Sequence, residues 1–436
     1  MVVFKRGPVV APDVIPIRPA TNQVLCPQNT RETNIGSSQS LHLWFGLQFL
    51  APRLEVSYYT TEVSRKYCRQ DNLRYLRNRP TAIDIFAGCG GATLGFKNVG
   101  FEVRAAVELD SVACSTYRMN HSEVNLLECD VRRLTADQIL SAANLESGQT
   151  TVLLGCPPCQ GFSRQSRSGV HDDRNSLVWR FISLAIKIAP EFIAFENVPG
   201  LSNGVGRRRW ARAKGLLQSA GYQMVEGIVD SASYGIPQFR KRLVMLACRD
   251  SSPRLCIPEA THSSPDKCHK NGLVPWATTR EAFNSLPPAG SYEVDAIDSL
   301  HQAPRHKEIV LQRLRHIPHD GGGRKSLPDS LVLQCHKSHS GHWDVYGRMR
   351  WDKPSPTLTT GCTNVTRGRF AHPEEDRAIT LREAARLQTF PDWYRFGGAR
   401  SEIASQIGNA VPPLLAEVFA RHILSIKAVA CVSQNG

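Results

Sequence analysis

The most chemically suggestive segment of the sequence is GCPPCQGFS, residues 155–163, which carries two thiols separated by two prolines. The apolar run 151–154 before it is typical of a β-strand, and Pro-Pro after a strand favours a stiff loop. A thiol held on such a loop is suited to nucleophilic attack, so Cys159 is a candidate nucleophile. The spacing of Cys156 and Cys159 is also compatible with a redox pair, with half of a metal site, or with simple burial.

A second candidate site is the glycine-rich turn AGCGG at 87–91, which follows the short apolar segment 82–86. Glycines permit a tight turn and a close approach of backbone to ligand, although this turn lacks the lysine of a phosphate-binding loop and the full dinucleotide spacing. Glu108 follows about 20 residues later, where a carboxylate can bind both hydroxyls of a ribose. Asp130 could accept a hydrogen bond from an exocyclic amine. These features predict a site for an adenosine-like ligand, with helix capping by each acid as the alternative.

The elements that position these groups are apolar strands alternating with segments of helical spacing. This alternation predicts an α/β fold with a parallel, Rossmann-like sheet and helices on both faces. Ligands of such sheets bind at the carboxyl ends of the strands, and every candidate group above lies at a strand end. The predicted strands are 82–86, 101–110, 124–130, 151–155 and 191–200.

The length of 436 residues suggests two domains and an additional segment. After about residue 245, Pro, Gly, His and Ser become frequent and helical periodicity weakens, which indicates a smaller, irregular domain. The regular pattern returns with the helical segments 379–390 and 411–427. The predicted organisation is an N-terminal extension of unknown role (1–80), a catalytic and cofactor-binding domain (81–245), an irregular domain (246–375) and a return to the catalytic domain (376–436).

The composition is strongly basic, with 53 Lys and Arg against 39 Asp and Glu, a formal charge of +14 and a pI near 9.3. Residues 301–370 hold 12 Lys and Arg against 5 Asp and Glu, together with seven histidines. Such a concentration of positive charge favours a nucleic-acid partner. The 13 cysteines have no framework spacing and indicate a reducing compartment. No long apolar run is present, so we expect no membrane span and a cytoplasmic location.

Several motifs occur in the order seen in DNA (cytosine-5) methyltransferases, and over about 81–425 the sequence resembles the bacterial restriction-modification members of that family. Single motifs are moderately specific, whereas the ordered set is very specific. The segment from about 243 to 375 falls where the family keeps its target-recognition domain. The motifs are DIFAGCGGATLGF (84–96), GCPPCQGFS (155–163), FENVPG (195–200), QFRKR (238–242), LREAARLQTFPD (381–392) and QIGNAVPP (406–413).

The resemblance implies a catalytic role for four residues. Cys159 is the implied nucleophile at carbon 6 of cytosine, and Glu196 matches the position that stabilises ring nitrogen 3. Arg242 matches the residue that binds the carbonyl oxygen of the base. Its companion Arg240 is expected to bind a phosphate or the neighbouring carboxylate. Because this chemistry cannot proceed inside a stacked duplex, the target base must be flipped out.

The resemblance also implies S-adenosylmethionine as the cofactor, bound at the glycine-rich turn and the strand-end acids. Leu109 departs from the family pattern, because an aromatic residue often stacks on the adenine at that position. The implied cofactor contacts are Phe86, Ala87, Gly88, Cys89, Gly91, Glu108, Leu109, Asp130, Val131, Pro158, Asn409, Ala410 and Val411.

Contacts to DNA are predicted mainly on the long, polar and basic loop after Cys159, which closes over the flipped base in the family. The recognised sequence itself cannot be read from an irregular domain. The residues predicted to contact DNA are Gln160, Ser163, Arg164, Arg167, Gln238 and Arg348.

The predicted partners are double-stranded DNA and a cognate restriction endonuclease acting on the same site, with the enzyme acting as a monomer at the bacterial nucleoid. An RNA cytosine-5 methyltransferase and a catalytically silent DNA-binding regulator are the alternatives. Loss of catalytic residues would favour the regulator, yet all are present. No metal is expected, because the cluster that could bind one lacks a paired Cys-x-x-Cys partner. That cluster comprises Cys335, His336, His339, His342 and Cys362.

Overall fold

The computed structural model describes residues 79–158, 175–203, 206–249, 255–289, 298–337 and 344–433. The described residues belong to one compact unit, Lys66–Gly436. Almost all of the predicted N-terminal extension (1–78 of 1–80) lies outside the described residues. So do Cys159 and the predicted DNA contacts Gln160, Ser163, Arg164 and Arg167.

A seven-stranded sheet organises the catalytic part of the chain. Its strands are β1 (Thr81–Ile85), β2 (Glu102–Glu108), β3 (Asn125–Glu128), β4 (Val152–Gly155), β5 (Phe192–Asn197), β6 (Gln223–Asp230) and β7 (Lys241–Cys248). The order across the sheet is β3-β2-β1-β4-β5-β7-β6. Strands β1 to β5 are parallel, as predicted, whereas β7 runs antiparallel to both of its neighbours. The prediction of five strands is confirmed, and β6 and β7 are additional.

Helices cover both faces of this sheet, which confirms the predicted α/β architecture. On one face lie α3 (Ala136–Ala143), α4 (Asn175–Ile188) and α5 (Arg207–Ser219); on the other lie α1 (Gly91–Asn98), α2 (Ser111–Asn120) and a long C-terminal helix (Pro413–Ser433). Strands β1 and β4 are buried along their whole length, as expected of central strands covered on both faces.

The remaining chain forms short elements. They are β8 (His262–Ser263), α6 (Pro265–Asn271), β9 (Val274–Pro275), α7 (Thr279–Phe283), α8 (Glu308–Arg315), α9 (Gln334–Lys337), α10 (Leu381–Leu387) and α11 (Arg400–Asn409), so the C-terminal helix is α12. In the described residues between 255 and 376, the helices and strands are short. The exact domain boundaries and a role in target recognition remain predictions. In the described part of the chain, none of the helices has the length and apolar character that crossing a membrane requires.

Close packing of α1 against α12 fixes the glycine-rich turn at the start of α1. A Cβ atom on Gly95 would lie 2.3 Å from the carbonyl oxygen of Pro413, so only glycine allows the two helices to approach this closely. Below the turn, Asp84 of β1 is buried and accepts a hydrogen bond of 2.7 Å from the Thr93 hydroxyl of α1. The start of α1 is therefore anchored to both the sheet and the C-terminal helix.

Candidate active site

A cavity of about 710 Å³ lies at the carboxyl ends of the parallel strands. Because β7 is antiparallel, its amino-terminal end reaches the same edge of the sheet and brings Arg242 to the cavity. The structure brings all thirteen residues predicted for the cofactor, together with Glu196, Arg240 and Arg242, into the lining of this one cavity. Asp84, Leu177 and Gln406 also line it, although the sequence did not single out these side chains. Cys156, the other thiol of the Pro-Pro segment, lines it as well.

The glycine-rich turn folds tightly at the end of β1. Phe86 has a φ of 67°, and its N–H and that of Ala87 both donate to the carbonyl of Val107 at 3.0 Å. A left-handed non-glycine residue at a strand end is uncommon and clusters at functional sites. A Cβ atom on Gly91 would lie 2.4 Å from the carbonyl oxygen of Val411, so the turn is held directly against the late motif.

Glu108 connects the end of β2 to this turn. Its carboxylate accepts hydrogen bonds from the backbone N–H groups of Gly88 at 2.7 Å, Leu109 at 2.8 Å and Asp110 at 2.9 Å. Carboxylate oxygens have two lone pairs each, so the group retains capacity for hydroxyl donors of a ligand. Leu109 stands beside it with 62% of its surface exposed.

Asp130 follows β3 and forms an ion pair with Arg132, whose Nε and Nη2 atoms lie 2.6–3.0 Å from the carboxylate oxygens. This hydrogen bonding by Arg132 lowers the pKa of Asp130, which keeps the group an anionic acceptor. Asp130 also accepts from the backbone N–H of Arg132 at 2.9 Å and caps the turn at 131–133. Asp130 therefore both caps this turn and lines the cavity.

Glu196 and Arg242 meet across the neighbouring strands β5 and β7. The Nε atom of Arg242 lies 2.8 Å from Oε1 of Glu196, and the two side chains are 13% and 17% exposed. Arg242 also donates through Nη1 to the carbonyl of Lys241 at 2.8 Å, which fixes the plane of its guanidinium group. The pair thus presents a carboxyl group and a cationic donor side by side on the cavity wall.

Asn197, the residue after Glu196, ties the Pro-Pro segment to the end of β5. Its buried side chain donates to the carbonyl of Pro157 at 2.9 Å and accepts from the N–H of Val198 at 2.8 Å. The only signal of this contact in the sequence is the place of Asn197 inside the FENVPG motif. Pro158 is the last described residue before Cys159. Burial raises the pKa of the nearby Cys156 thiol well above its usual range, so this thiol is protonated and a poor nucleophile.

The prediction that Arg240 binds a phosphate or the neighbouring carboxylate is corrected by its surroundings. Arg240 is buried, and its guanidinium donates to the carbonyls of Leu358 at 3.1 Å, Gly408 at 3.0 Å and Ala410 at 3.2 Å. Burial, with a contribution from the neighbouring Arg242, lowers its pKa to about 9. Arg240 is therefore a positioning residue that joins β7 to the late motif and to the segment around Leu358.

The prediction that Gln238 and Arg348 contact DNA is corrected for the same physical reason. Both side chains are fully buried. Gln238 donates to Oε1 of Gln388 at 2.8 Å and accepts from the N–H of Leu358 at 2.9 Å. Arg348 donates to five backbone carbonyls and to Asp376, so its donors are used inside the protein.

Two members of the candidate metal cluster, His339 and His342, lie outside the described residues. Cys335 is exposed, whereas Cys362 is buried with its Sγ facing the carbonyl of Ala404. Within the described ranges, no group of three or more His, Cys, Asp or Glu side chains is arranged to hold a metal ion.

Comparison with known proteins agrees with this geometry. The family model of C-5 cytosine-specific DNA methylases matches residues 81–425. The Type II methylase M.HgiDII of Herpetosiphon aurantiacus is 36% identical over 352 residues, which cover 78% of this chain and 94% of the relative. The Type II methyltransferase M.XorII of Xanthomonas oryzae pv. oryzae is 31% identical over 373 residues, which cover 79% of this chain and 85% of the relative.

Solved structures support the fold. A prophage-encoded protein of E. coli, described as a DNA modification methyltransferase, matches with a TM-score of 0.61 and 24% identity over 80% of this chain and 99% of its own. A DNMT2 variant of Spodoptera frugiperda matches with a TM-score of 0.53 and 19% identity, and the match covers 79% of this chain and 99% of the DNMT2 chain. Because the family match spans most of the chain, the protein belongs to the C-5 cytosine-specific DNA methylases and is a DNA (cytosine-5) methyltransferase of the Type II restriction-modification kind.

Proposed function

We propose that this protein transfers a methyl group from S-adenosylmethionine to carbon 5 of a cytosine flipped out of a specific duplex DNA sequence. The observation that supports it most is the Glu196–Arg242 pair, which shares one cavity with the glycine-rich turn and Glu108. The proposed base-binding pair and the proposed nucleoside-binding wall then line the same space of about 710 Å³. Such a cavity is large enough for a small ligand and an inserted base.

The residues present fit S-adenosylmethionine. In the proposal, Glu108 accepts from the ribose hydroxyls and Asp130 accepts from the exocyclic amine of the adenine. Phe86, Leu109 and Val131 provide the apolar walls, and Asn409–Val411 close the cavity from the late motif. The bound cofactor would supply an electrophilic methyl group.

The chain's own residues would activate the base. The thiolate of Cys159 adds to carbon 6 and breaks the double bond between carbons 5 and 6, which makes carbon 5 nucleophilic. Glu196 donates a proton or hydrogen bond to ring nitrogen 3, and Arg242 binds the carbonyl oxygen, so the charge that develops on the ring is neutralised. After methylation, water accepts the proton from carbon 5, the double bond re-forms and the thiolate leaves.

Asn197 and Arg240 have positioning roles in this proposal. Asn197 holds Pro157 against the end of β5, and this sets the segment that leads into Cys159 beside Glu196. Arg240 holds the segment that contains Ala410, so the cofactor wall and the base-binding strand keep one geometry. Fixed distances between the nucleophile, the proton donor and the methyl donor are what such a reaction requires.

Base flipping is required because carbon 6 is inaccessible inside a stacked duplex. We propose that the loop after Cys159 closes over the flipped base and that residues 246–375 read the bases of the major groove. We further propose that the enzyme acts as a monomer at the bacterial nucleoid. There it would protect host DNA from a cognate restriction endonuclease.

Transfer of labelled methyl groups from S-adenosylmethionine tests the proposal. We expect genomic duplex DNA to become labelled, transfer RNA to stay unlabelled, and C159A to abolish the label. C256A is the matched control, because Cys256 is exposed and lies outside the cavity lining. Bisulfite sequencing of DNA from an expressing host should then show one methylated consensus. Labelling of RNA in place of DNA, or full activity of C159A, would contradict the proposal.

A further inference from the structure

Helix α5 carries a concentration of positive charge that the proposed chemistry does not use. Residues 207–219 contain five basic side chains and no acidic one. Arg207, Arg208 and Arg212 are exposed on this helix. We call these three the α5 arginine cluster. Lys214 differs from them, because it pairs with Glu226 on β6.

The arrangement is unfavourable for the protein alone. The amino-terminal end of a helix carries partial positive charge, so Arg207 and Arg208 in the first turn oppose the helix dipole. Arg208 and Arg212 are four residues apart and repel each other on the same helix face. Neither an acidic residue in the first turn nor a capping side chain offsets this charge. A bound polyanion would relieve both effects at once.

The cluster lies near the catalytic edge of the sheet. Helix α5 crosses from the end of β5 to the start of β6, so its first turn is on the side of the sheet that holds Glu196. Trp210, between the arginines, stacks on Phe195 with ring centroids 4.8 Å apart, and Phe195 directly precedes Glu196. The indole N–H of Trp210 donates to Glu226 at 2.6 Å, which fixes the rotation of the helix.

The guanidinium group of Arg212 has a defined direction as well. It lies over the ring of Trp179 on α4, with 5.7 Å between its central carbon and the ring centroid. A cation–π contact orients an arginine without neutralising its charge, so the group remains able to bind an anion. The cluster therefore combines three exposed charges with one guanidinium group of defined direction, near the edge of the sheet that holds Glu196.

We infer that the α5 arginine cluster binds the phosphate backbone of duplex DNA next to the flipped cytosine, outside the predicted target-recognition region. The inference rests on duplex DNA being the substrate. In this inference, the strand that carries the flipped base passes the edge of the sheet that holds Glu196, where the first turn of α5 lies. These contacts would add affinity for any sequence and would not discriminate between bases.

Salt dependence of DNA binding is the direct test, with a fluorescein-labelled 30-base-pair duplex of mixed sequence as the probe. Each phosphate contact contributes about 0.9 to the slope of log K against log salt. We expect the triple variant R207Q/R208Q/R212Q to reduce the magnitude of that slope by about 2–3 and to raise KM for duplex DNA more than it lowers kcat. The variant R207K/R208K/R212K should retain most of the slope.

A thermal unfolding measurement distinguishes binding from a structural role. The double variant R207Q/R208Q keeps the contact of Arg212 with Trp179 and removes two charges that oppose the helix dipole, so it should leave Tm unchanged or raise it while DNA affinity falls. The single variants R208Q and R421Q form the matched pair. Arg421 is exposed on α12 and paired with Glu417, so only R208Q should change the slope.

Two outcomes would overturn the inference: a slope equal to that of the wild-type protein, or a fall in Tm that accompanies the loss of affinity. Failure of the proposed function is recognisable separately. In that case the wild-type protein itself would show no salt-dependent binding to the duplex and no methyl transfer to DNA.

Discussion

Arg242 in the catalytic cavity and Arg348 in the irregular region have the same charge and opposite surroundings. Arg242 is 13% exposed and, among the described residues, its acidic partner is Glu196, while its guanidinium faces a cavity. Arg348 is fully buried and donates to five backbone carbonyls and to Asp376. The first arginine keeps donors for a ligand, whereas the second uses its donors to hold the chain together.

The difference follows from the local lack of secondary structure. A chain with few strands and short helices leaves backbone carbonyls without partners, and buried carbonyls must be satisfied. Arginine can satisfy several at once because it carries five N–H donors. Arg369 acts similarly, since its Nη1 donates to the carbonyls of Gly321, Gly322 and Arg348. A count of basic residues in 301–370 therefore overstates the charge available to DNA.

Among the described residues of the cavity, Glu196 should give the largest effect on activity when it is replaced. The variant E196Q keeps the shape of the side chain but cannot donate a carboxyl proton to ring nitrogen 3. We expect methyl transfer to fall by about 10²- to 10⁴-fold, the usual contribution of a general acid, while the protein remains folded. Single-turnover transfer of labelled methyl groups and a thermal unfolding curve measure the two properties.

Glu102 provides the matched control for Glu196. It pairs with Arg104 at 2.9 Å, a geometry close to that of the Glu196–Arg242 pair, but it begins β2 at the opposite edge of the sheet. The variant E102Q should retain full activity. Equal activity of E196Q and E102Q would mean that the catalytic cavity does not use its acid–arginine pair for chemistry.

Replacing Arg348 should instead affect stability. The variant R348M removes a buried cation and leaves Asp376 and several carbonyls without donors, so we expect a loss of about 3–5 kcal/mol in the free energy of unfolding. Denaturant unfolding measures this loss. The variant R280A is the control, because Arg280 is exposed in a pair with Asp352 and should matter little. A stable R348M protein with weakened DNA binding would restore the prediction of direct DNA contact.

The sequence predicts the catalytic edge better than the irregular region, for a physical reason. Apolar runs and the acids that follow them are local patterns, and parallel strands necessarily bring their carboxyl ends to one edge. The antiparallel direction of β7 depends on contacts between distant segments, and so does the burial of Arg348, whose acceptors begin 34 residues earlier at Leu314. Charged residues are usually exposed, so sequence patterns assign a buried arginine to the surface.

Acidification should weaken both regions through buried histidines, and His121 and His372 have the largest pKa shifts. Burial lowers the pKa of His121 behind the glycine-rich turn and of His372 in the irregular region, each from 6.5 to about 4. The unfolded chain binds protons below pH 6.5 that the folded chain excludes, so stability falls as the pH drops from 6.5 to 4, by about 3 kcal/mol for each histidine. Asp84, whose pKa burial raises to about 6, acts in the opposite direction between pH 6 and 3.8.

Unfolding free energies measured between pH 7 and 4 check this dependence. The variants H121N and H372N should each flatten part of the acid slope, because asparagine does not titrate. A slope that neither substitution changes would show that other groups control the acid sensitivity. If only H372N changed the pH dependence of the free energy of unfolding, the acid sensitivity would lie in the irregular region. The glycine-rich turn in front of His121 would then be stable in acid.

The smallest expected effect concerns the rim of the catalytic cavity, where the proposed cofactor site has Leu109 at a position that the sequence resemblance assigns to an aromatic residue stacked on adenine. Leu109 is 62% exposed beside Glu108. An aromatic contact contributes about 0.5–1.5 kcal/mol, so L109Y should lower KM for S-adenosylmethionine by about 2- to 10-fold with little change in kcat. The variant L216Y, at an exposed leucine of α5 outside the cavity lining, should leave KM unchanged. If L109Y raises KM, the rim at Leu109 does not adjoin the adenine, and the adenine must be assigned to another part of the wall.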